Sequence, residues 1–400
     1  MPGTVFKGSA ITQDANASGR IVRVVGEDGL LLYPNEQPLV TFLMEVSKRK
    51  PMKQKTPVIE FYENDYEPGW VQADAAGYTS GVTTINVAAG HGARIIPNTV
   101  IVVPNAAGVS TKPELMLVTA IATDALTVVR GFAGSTAAAV AANAAISLLG
   151  TAFIEFDVMA EAKGMTPALA TQYMRIFKRA VKVSRTQANT SLYGAPGGER
   201  ARLHAESIAN MKIEMNKAFL FSRTHAGSAT VPRETAGLNT VISTNVTDAG
   251  GNITRTTFES FARQVFDVGS ETKLLLACPM LVSAIHEWGN SHLQLEVGAK
   301  AFGVQVTKVH TGHGTLIVMK DRQLTDGISG GNGFSGWNFA IDPNELSLIK
   351  LEGQGDLSIE EDVKKDGSDG FYDQIRTECG LKIKHERKHG KLYNVTGFVA

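Results

Sequence analysis

One segment limits the choice of folds more than any other: ERARLHAESIANMKIEMNKAFLFS, residues 199–222, which follows a GAPGG run at 194–198. Leu203, Ile208, Met211, Met215 and Phe219 recur at steps of three to five, which lines one face of a helix with a narrow apolar stripe. At about 1.5 Å per residue the segment makes a rod of roughly 36 Å. A rod with one thin greasy seam acts as a mechanical part, so the chain is expected to work through its shape.

Composition removes several classes of function. Lys plus Arg equals Asp plus Glu at 39 each, so no net field draws nucleic acid or a membrane surface. The two cysteines, Cys278 and Cys379, fit small core residues of a reducing compartment better than a disulfide. The start MPGTVFKGSAITQDA lacks the basic head and greasy middle of a signal peptide, so a soluble chain made in the cytoplasm is expected.

Along the chain, residues 1 to about 56 show little periodicity and read as a solvated extended arm ending in KRKPMKQK. PVIEFYENDYEPGW then alternates from Val58 like a strand. Residues 79–150 hold only five charged residues (Arg94, Lys112, Glu114, Asp124 and Arg130), and TTINVAA, TVIVVP, LMLVTAIA, ALTVVRGF and AAISLLG predict short strands of an inserted all-β module. TAFIEFDVMAE at 151–161 resumes the earlier style. Its I-E-F suggests that it pairs with VIEFYEND, with Glu60 and Glu155 on one face and Ile59, Phe61, Ile154 and Phe156 on the other.

Thr166-Pro167 predicts a helix start, with Tyr173, Met174, Phe177 and Val181 on that helix. Thr257 is expected to open another helix bearing Phe258, Phe261, Val265 and Phe266. KLLLAC reads as a buried strand, Pro279 begins a helix through Trp288, and strands GVQVTKVH and TLIVMK complete an α/β subdomain. The C-terminal part turns back to β, with Ile375, Thr377, Cys379, Leu381 and Ile383 on one face and the last two strands meeting as a hairpin at His389 and Gly390.

Three motifs invite chemistry. HERKH at 385–389 fits the HExxH zinc signature, which needs a helix to bring two histidines to one metal; here the flanks alternate like a strand. GNGFSG at 331–336 fits GxGxxG, but a polar segment precedes it and a strand follows, so it reads as a glycine loop. His310 and His313 in HTGHG fall in a turn between strands. No nucleophile, general base, metal or cofactor is nominated.

Taken in order, arm, excursion, hinge and rod, mixed subdomain with a glycine loop, and closing strands, the chain resembles the tailed-phage major capsid protein fold, shared with herpesvirus shells and encapsulins. RIFKRAVKVSRTQANTSLYG, GGERARLHAESIANMKIEMNKAFLFS, RTHAGSATVPRETAGLNTVISTNV, the run from ACPMLVSAIHEW to VMKDRQLT, FAIDPNELSLIKLEGQGD and TECGLKIKHERKHGKLYNVTGF carry the resemblance, over most of residues 165–400. It implies an α+β capsid fold: an N-terminal arm, 1–57; an extended loop, 58–165, with the β module inserted at 79–150; a peripheral domain, 166–257 and 341–400, with a spine helix at 199–222; and an axial domain, 258–340. Leu346 to Leu351 and residues 380–399 would belong to the peripheral sheet.

The implied function is a shell of hexamers and pentamers that encloses double-stranded DNA and contacts it weakly. A scaffolding protein, a portal, a maturation protease and a decoration protein are the expected partners, with the virion as location and no membrane or cofactor. Glu60, Phe61, Trp70, Glu155, Phe156, Gly194, Gly197, Gly198, Gly331 and Gly333 are the expected assembly positions, with Gly164 a further flexible point. The rival readings are an encapsulin-like nanocompartment and, from another class, a zinc-dependent hydrolase using His385, Glu386 and His389.

Overall fold

The computed structural model describes residues 38–49, 52–103, 113–156, 162–190, 198–291, 295–301, 304–324, 334–353, 357–363 and 370–399. In chain order, α1 (Pro38–Arg49), β1 (Met52–Gln54) and β2 (Val58–Glu63) lead into six short strands. These are β3 (Trp70–Gln72), β4 (Thr84–Asn86), β5 (Thr99–Val102), β6 (Leu115–Ala122), β7 (Ala125–Val129) and β8 (Ala145–Thr151). Then follow β9 (Ala168–Tyr173), β10 (Arg175–Val183), α2 (Arg185–Ala188), α3 (Glu199–Phe221) and α4 (Leu238–Val241). Next come β11 (Val246–Ile253), α5 (Arg255–Phe266), β12 (Thr272–Ala277), α6 (Pro279–Ser291), β13 (Leu295–Ala301), β14 (Val304–Thr311) and β15 (Gly314–Lys320). β16 (Asn338–Ile341), β17 (Leu346–Leu351), β18 (Ser358–Glu360), β19 (Phe371–Ile383) and β20 (Gly390–Phe398) close the chain. Two compact units result, residues 1–61 with 171–400, and residues 62–170.

In the first unit, β1, β17, β19 and β10 form a sheet in that order, with β18 also on β19. The rod is real: Met211, Met215 and Phe219 are buried, Leu203 and Ile208 partly so, and Phe219 meets Phe177 of β10 edge-on at 6.2 Å. Ile375, Thr377, Cys379, Leu381 and Ile383 are all buried, as their period of two predicts. A seven-stranded sheet follows, ordered β11-β20-β16-β12-β15-β14-β13. β12 lies inside it, parallel to β15 and antiparallel to β16, which is why its residues 273–277 are all buried. Phe258, Phe261 and Val265 of α5 and Leu281, Ile285 and Trp288 of α6 complete that core.

Several expectations need correction. Residues 166–183 form two strands and no helix: Tyr173, Phe177 and Val181 stand four apart, a spacing that suits a helix turn and two strand periods equally. β10 pairs with β19 along its whole length, and that pairing decides the matter. The arm contains α1, whose Leu39, Val40 and Leu43 are buried in the main core, and β1, which joins β17 in parallel. α5 is capped by Thr254, whose hydroxyl accepts the Thr257 N–H at 3.2 Å, three residues before the expected start. β19 and β20 do not form a hairpin; β20 leaves for the seven-stranded sheet, so residues 390–398 sit apart from Leu346 to Leu351.

In the second unit all five predicted module strands are present, and β3 joins them ahead of the composition change at Thr79. Their order is β3-β8-β5-β6-β7-β4. A bridge between Ala73 and Val87, flanked by Asp74 N–H to Asn86 O (3.0 Å) and Ala88 N–H to Gln72 O (2.8 Å), joins the first strand to the last. The sheet therefore closes into a small barrel, which removes its edges. Val71, Ile85, Ile101, Met116, Leu126 and Ile146 fill the inside.

Candidate assembly surfaces

β2 pairs with β9, and among the described residues VIEFYEND makes no pairing with 151–156. In β2, Ile59 and Phe61 point inward and Glu60 outward. A Cβ at Gly380 would lie 2.9 Å from both Ile59 Cδ1 and Tyr173 O, so only glycine lets these strands rest against β19. Phe61 lies 4.7 Å from the Lys382 ammonium, a cation–π contact. The Gln172 carboxamide imitates a peptide group, donating to Ile383 O (2.9 Å) and accepting the Ile383 N–H (3.1 Å).

Beyond β8, residues 151–156 are all exposed. Ile154 is 79% accessible, and Phe156 is fully so with a left-handed backbone (φ 60°). Glu155 is exposed between them, and residues 157–161 lie outside the described residues. Tyr62, Tyr66, Trp70 and Leu169 are exposed as well, with Trp70 edge-on to His91 at 6.1 Å. This unit thus shows water an unusual amount of aromatic and aliphatic surface, the usual mark of an interaction site. Gly164 is exposed beside the solvent-facing Lys163–Glu67 pair, a contact of 2.8 Å that contributes little in water.

The start of α3 is fastened to β19 electrostatically. Gly198 precedes the helix at φ 86°, where a side chain would be strained; Gly194 and Gly197 lie outside the described residues. Arg200 makes a two-pronged contact with the buried Asp373 (2.6 and 2.7 Å), and His204 Nε2 reaches the same carboxylate at 2.7 Å. Arg200 holds the Asp373 carboxyl well below the usual range, assisted by the Asp362 N–H and His204. An arginine in a helix's first turn opposes the macrodipole, and Asp373 offsets this. The result is a fixed base for the rod.

Near its other end, α3 meets the seven-stranded sheet through Asn216, whose Nδ2 donates to the buried Asp321 at 2.9 Å. Burial pushes the Asp321 carboxyl up to about 6, against the bonds from Asn216 and the Gln323 N–H. Its folded pKa lies above the unfolded value of about 4, so the folded chain holds the extra proton between these values. Stability is therefore expected to fall by up to about 3 kcal/mol as pH rises from about 4 to 6. Denaturant titrations across that window should show the slope, and Asp321→Asn should flatten it; an unchanged slope would refute the assignment.

The HERKH segment is occupied structurally. His385 has a left-handed backbone (φ 48°) and opens a short 3₁₀ turn, Glu386–Lys388, so neither the strand nor the helix geometry weighed for this segment is present. Glu386 accepts from the Ser243 amide (2.7 Å), the Ser243 and Thr244 hydroxyls (3.0 Å each) and the Thr244 amide. His389 is buried, with Nδ1 taking the Asp342 N–H at 3.2 Å and Nε2 3.1 Å from Lys384 O; burial lowers its pKa to about 4. Both nitrogens are thus engaged. Among the described residues no three His, Cys, Asp or Glu side chains gather as metal ligands.

Gly331 and Gly333 lie outside the described residues; Phe334, just after them, packs on Phe221 at 4.2 Å between centroids. Sequence reasoning missed the Arg200–Asp373–His204 cluster, since 173 residues separate Arg200 from Asp373. It also missed the pairing of Glu114 with Arg130, although two opposite charges among five in a 72-residue apolar stretch are a legible signal.

A family model described as SU10 major capsid protein matches residues 25–396. No curated protein matches the chain. Among solved structures, the chain is similar to the holo-SrpI encapsulin complex from Synechococcus elongatus PCC 7942 (13% identity, 59% of this chain and 79% of that one, TM-score 0.43). It is also similar to a Mycobacterium phage Patience structure (12%, 61% and 77%, 0.40) and to the capsid of cyanophage P-SCSP1u (13%, 61% and 80%, 0.38). At these scores the assignment rests on the family model alone.

Proposed function

The chain belongs to the SU10 major capsid protein family, and from that premise we propose how this polypeptide builds a head. It is a major capsid protein of a tailed bacteriophage, a component of the virion that associates with its own copies. We assign these copies to hexamers and pentamers that close an icosahedral shell around double-stranded DNA. Closure requires head-to-tail contacts whose rotation ends on itself.

In this reading residues 1–57 are the arm and 58–165 the extended loop carrying an inserted module at 79–150. Residues 166–245 and 342–383 form the peripheral domain around the spine helix, and 246–341 the axial domain, with residues 390–398 assigned to the axial sheet in place of the peripheral one. Glu60, Trp70, Glu155 and Phe156 grip neighbouring copies, whereas Phe61, buried against Lys382, is withdrawn from that set. Gly194, Gly197, Gly198, Gly331 and Gly333 absorb the differences in angle between hexamers and pentamers. Equal counts of acidic and basic residues suit a wall that touches its genome only weakly. A scaffolding protein, a portal, a maturation protease and a decoration protein complete the assembly, which proceeds in the host cytoplasm. The chain itself performs no catalysis.

The family match over residues 25–396 carries this reading. Negative-stain microscopy of the purified chain, alone and with its scaffold, should show closed shells. A monomer that stays solitary at high concentration under both conditions would overturn it, and shells that hold enzyme cargo in place of DNA would favour a nanocompartment.

A further inference from the structure

Residues 151–156, TAFIEF, carry a strand pattern without a strand to complete it. β2 is taken by β9, and past Thr151 the described backbone bonds only through Ala152 N–H to Asn98 O, at 2.9 Å. Leaving Ile154 and Phe156 in water forgoes about 1.5–3 kcal/mol for each, and the half-covered Phe153 forgoes less. The left-handed backbone of Phe156 adds about 1–2 kcal/mol of strain. Joining a strand would return Phe156 from this turn to the extended region and so release the strain.

The first unit offers a receiving surface. β10 pairs with β19 on one side for all nine residues, and among the described residues its other edge has no strand. Ile176, Lys178, Ala180 and Lys182 stand exposed along one face, with Arg376 beside them on β19. Lysines on an open edge repel indiscriminate pairing, yet they suit an added strand that brings a carboxylate. Phe177 and Val181 line the opposite face.

We propose that residues 152–156 of one copy add as a short strand to the open edge of β10 in a second copy. Glu155 then faces Lys178 or Lys182, and Ile154 and Phe156 turn toward the side that carries Phe177 and Val181. Main-chain bonds supply adhesion and the alternate side chains select the register. The inference rests on the capsomer reading above and deepens it by naming the partner surface.

Glu155→Cys combined with Lys178→Cys, and separately with Lys182→Cys, tests the contact in assembled particles of the full chain. Under oxidation at least one pair should give ladders of disulfide-linked copies on non-reducing gels, absent from each single variant. Particles that form without ladders, or a crosslink confined within one chain, would overturn the contact while leaving the capsid reading intact; failure of the parent chain to assemble would strike that reading instead. Independently, Glu155→Lys should cut particle yield at least tenfold without changing the melting of the unassembled chain, and Lys178→Glu or Lys182→Glu should restore it. Unchanged yield in Glu155→Lys would refute the proposal.

Discussion

Replacing Glu114 with glutamine should destabilise the barrel by about 3–5 kcal/mol, the cost of leaving one member of a buried ion pair unmatched. The Glu114 carboxylate receives Arg130 Nε and Nη2 (2.8 Å each) and the amides of Gly131 (2.9 Å) and Ala138 (2.8 Å). Arg130 also donates to Thr79 O (3.0 Å), Val82 O (2.8 Å) and Ala138 O, so one guanidinium ties the turn at 79–82 to the loop at Ala138. Burial opposes ionisation of Glu114, but Arg130 and the two amides outweigh it and hold the carboxyl below its ordinary range.

Because this pKa is depressed on folding, the associated stability is present above the unfolded value of about 4.3 and is lost as pH falls through the folded one. Hydrogen exchange in β6 and β7, read in the full chain, should rise in Glu114→Gln by at least a hundredfold, the equivalent of roughly 3 kcal/mol. Glu114→Met with Arg130→Leu should recover only part of the loss: no charge is stranded, but the Gly131 and Ala138 amides and the Thr79, Val82 and Ala138 carbonyls lose their partners. Full protection in Glu114→Gln alone would show that the pair is dispensable.

The second large effect is expected at Lys273, which no solvent reaches. Its ammonium donates to the carbonyls of Val265 (2.6 Å), Val268 (2.8 Å) and Lys388 (2.7 Å). The first two belong to the end of α5 and the residues after it, so this lysine supplies the donors that a helix terminus lacks. Burial draws its pKa down to about 8, with the Asp342 charge opposing. Lys273→Met preserves the aliphatic stem but strands three carbonyls, and about 3 kcal/mol or more should be lost. Lys273→Arg should not restore it, because a flat fork cannot meet three converging acceptors as a compact ammonium does. Denaturant titration of both variants checks this; parental stability in Lys273→Met would mean that water takes the place of the amine.

How far the sequence disclosed this molecule depended on the range of the interactions involved. The rod of α3 was legible because its stripe is local, and the barrel strands because Gly, Pro, Asn and Asp punctuate them. The segment 168–183 was misread because residues four apart satisfy two periods, and only the partner β19, nearly two hundred residues away, resolves the choice. α1 was hidden beside a basic run, which drew the whole stretch into the reading of a solvated arm. Among the positions proposed for assembly, Trp70, Glu155 and Phe156 are exposed, whereas the Asp373 cluster arises only when distant charges converge. KLLLAC reads as a buried strand and is one, but the pattern holds no sign of the three carbonyls that its lysine serves, which come from α5, the residues after it and Lys388.

The barrel begins and ends on neighbouring strands, with Trp70 opposite Ser147 and Gln72 opposite Ala145. The chain therefore enters at Trp70 one strand spacing, about 5 Å, from Ser147, and β8 ends four residues further on at Thr151. A domain with adjoining termini can be grafted or excised with little loop-closure penalty. The site is thus a natural cassette, through which this barrel could be swapped for another without redesigning the unit that carries it.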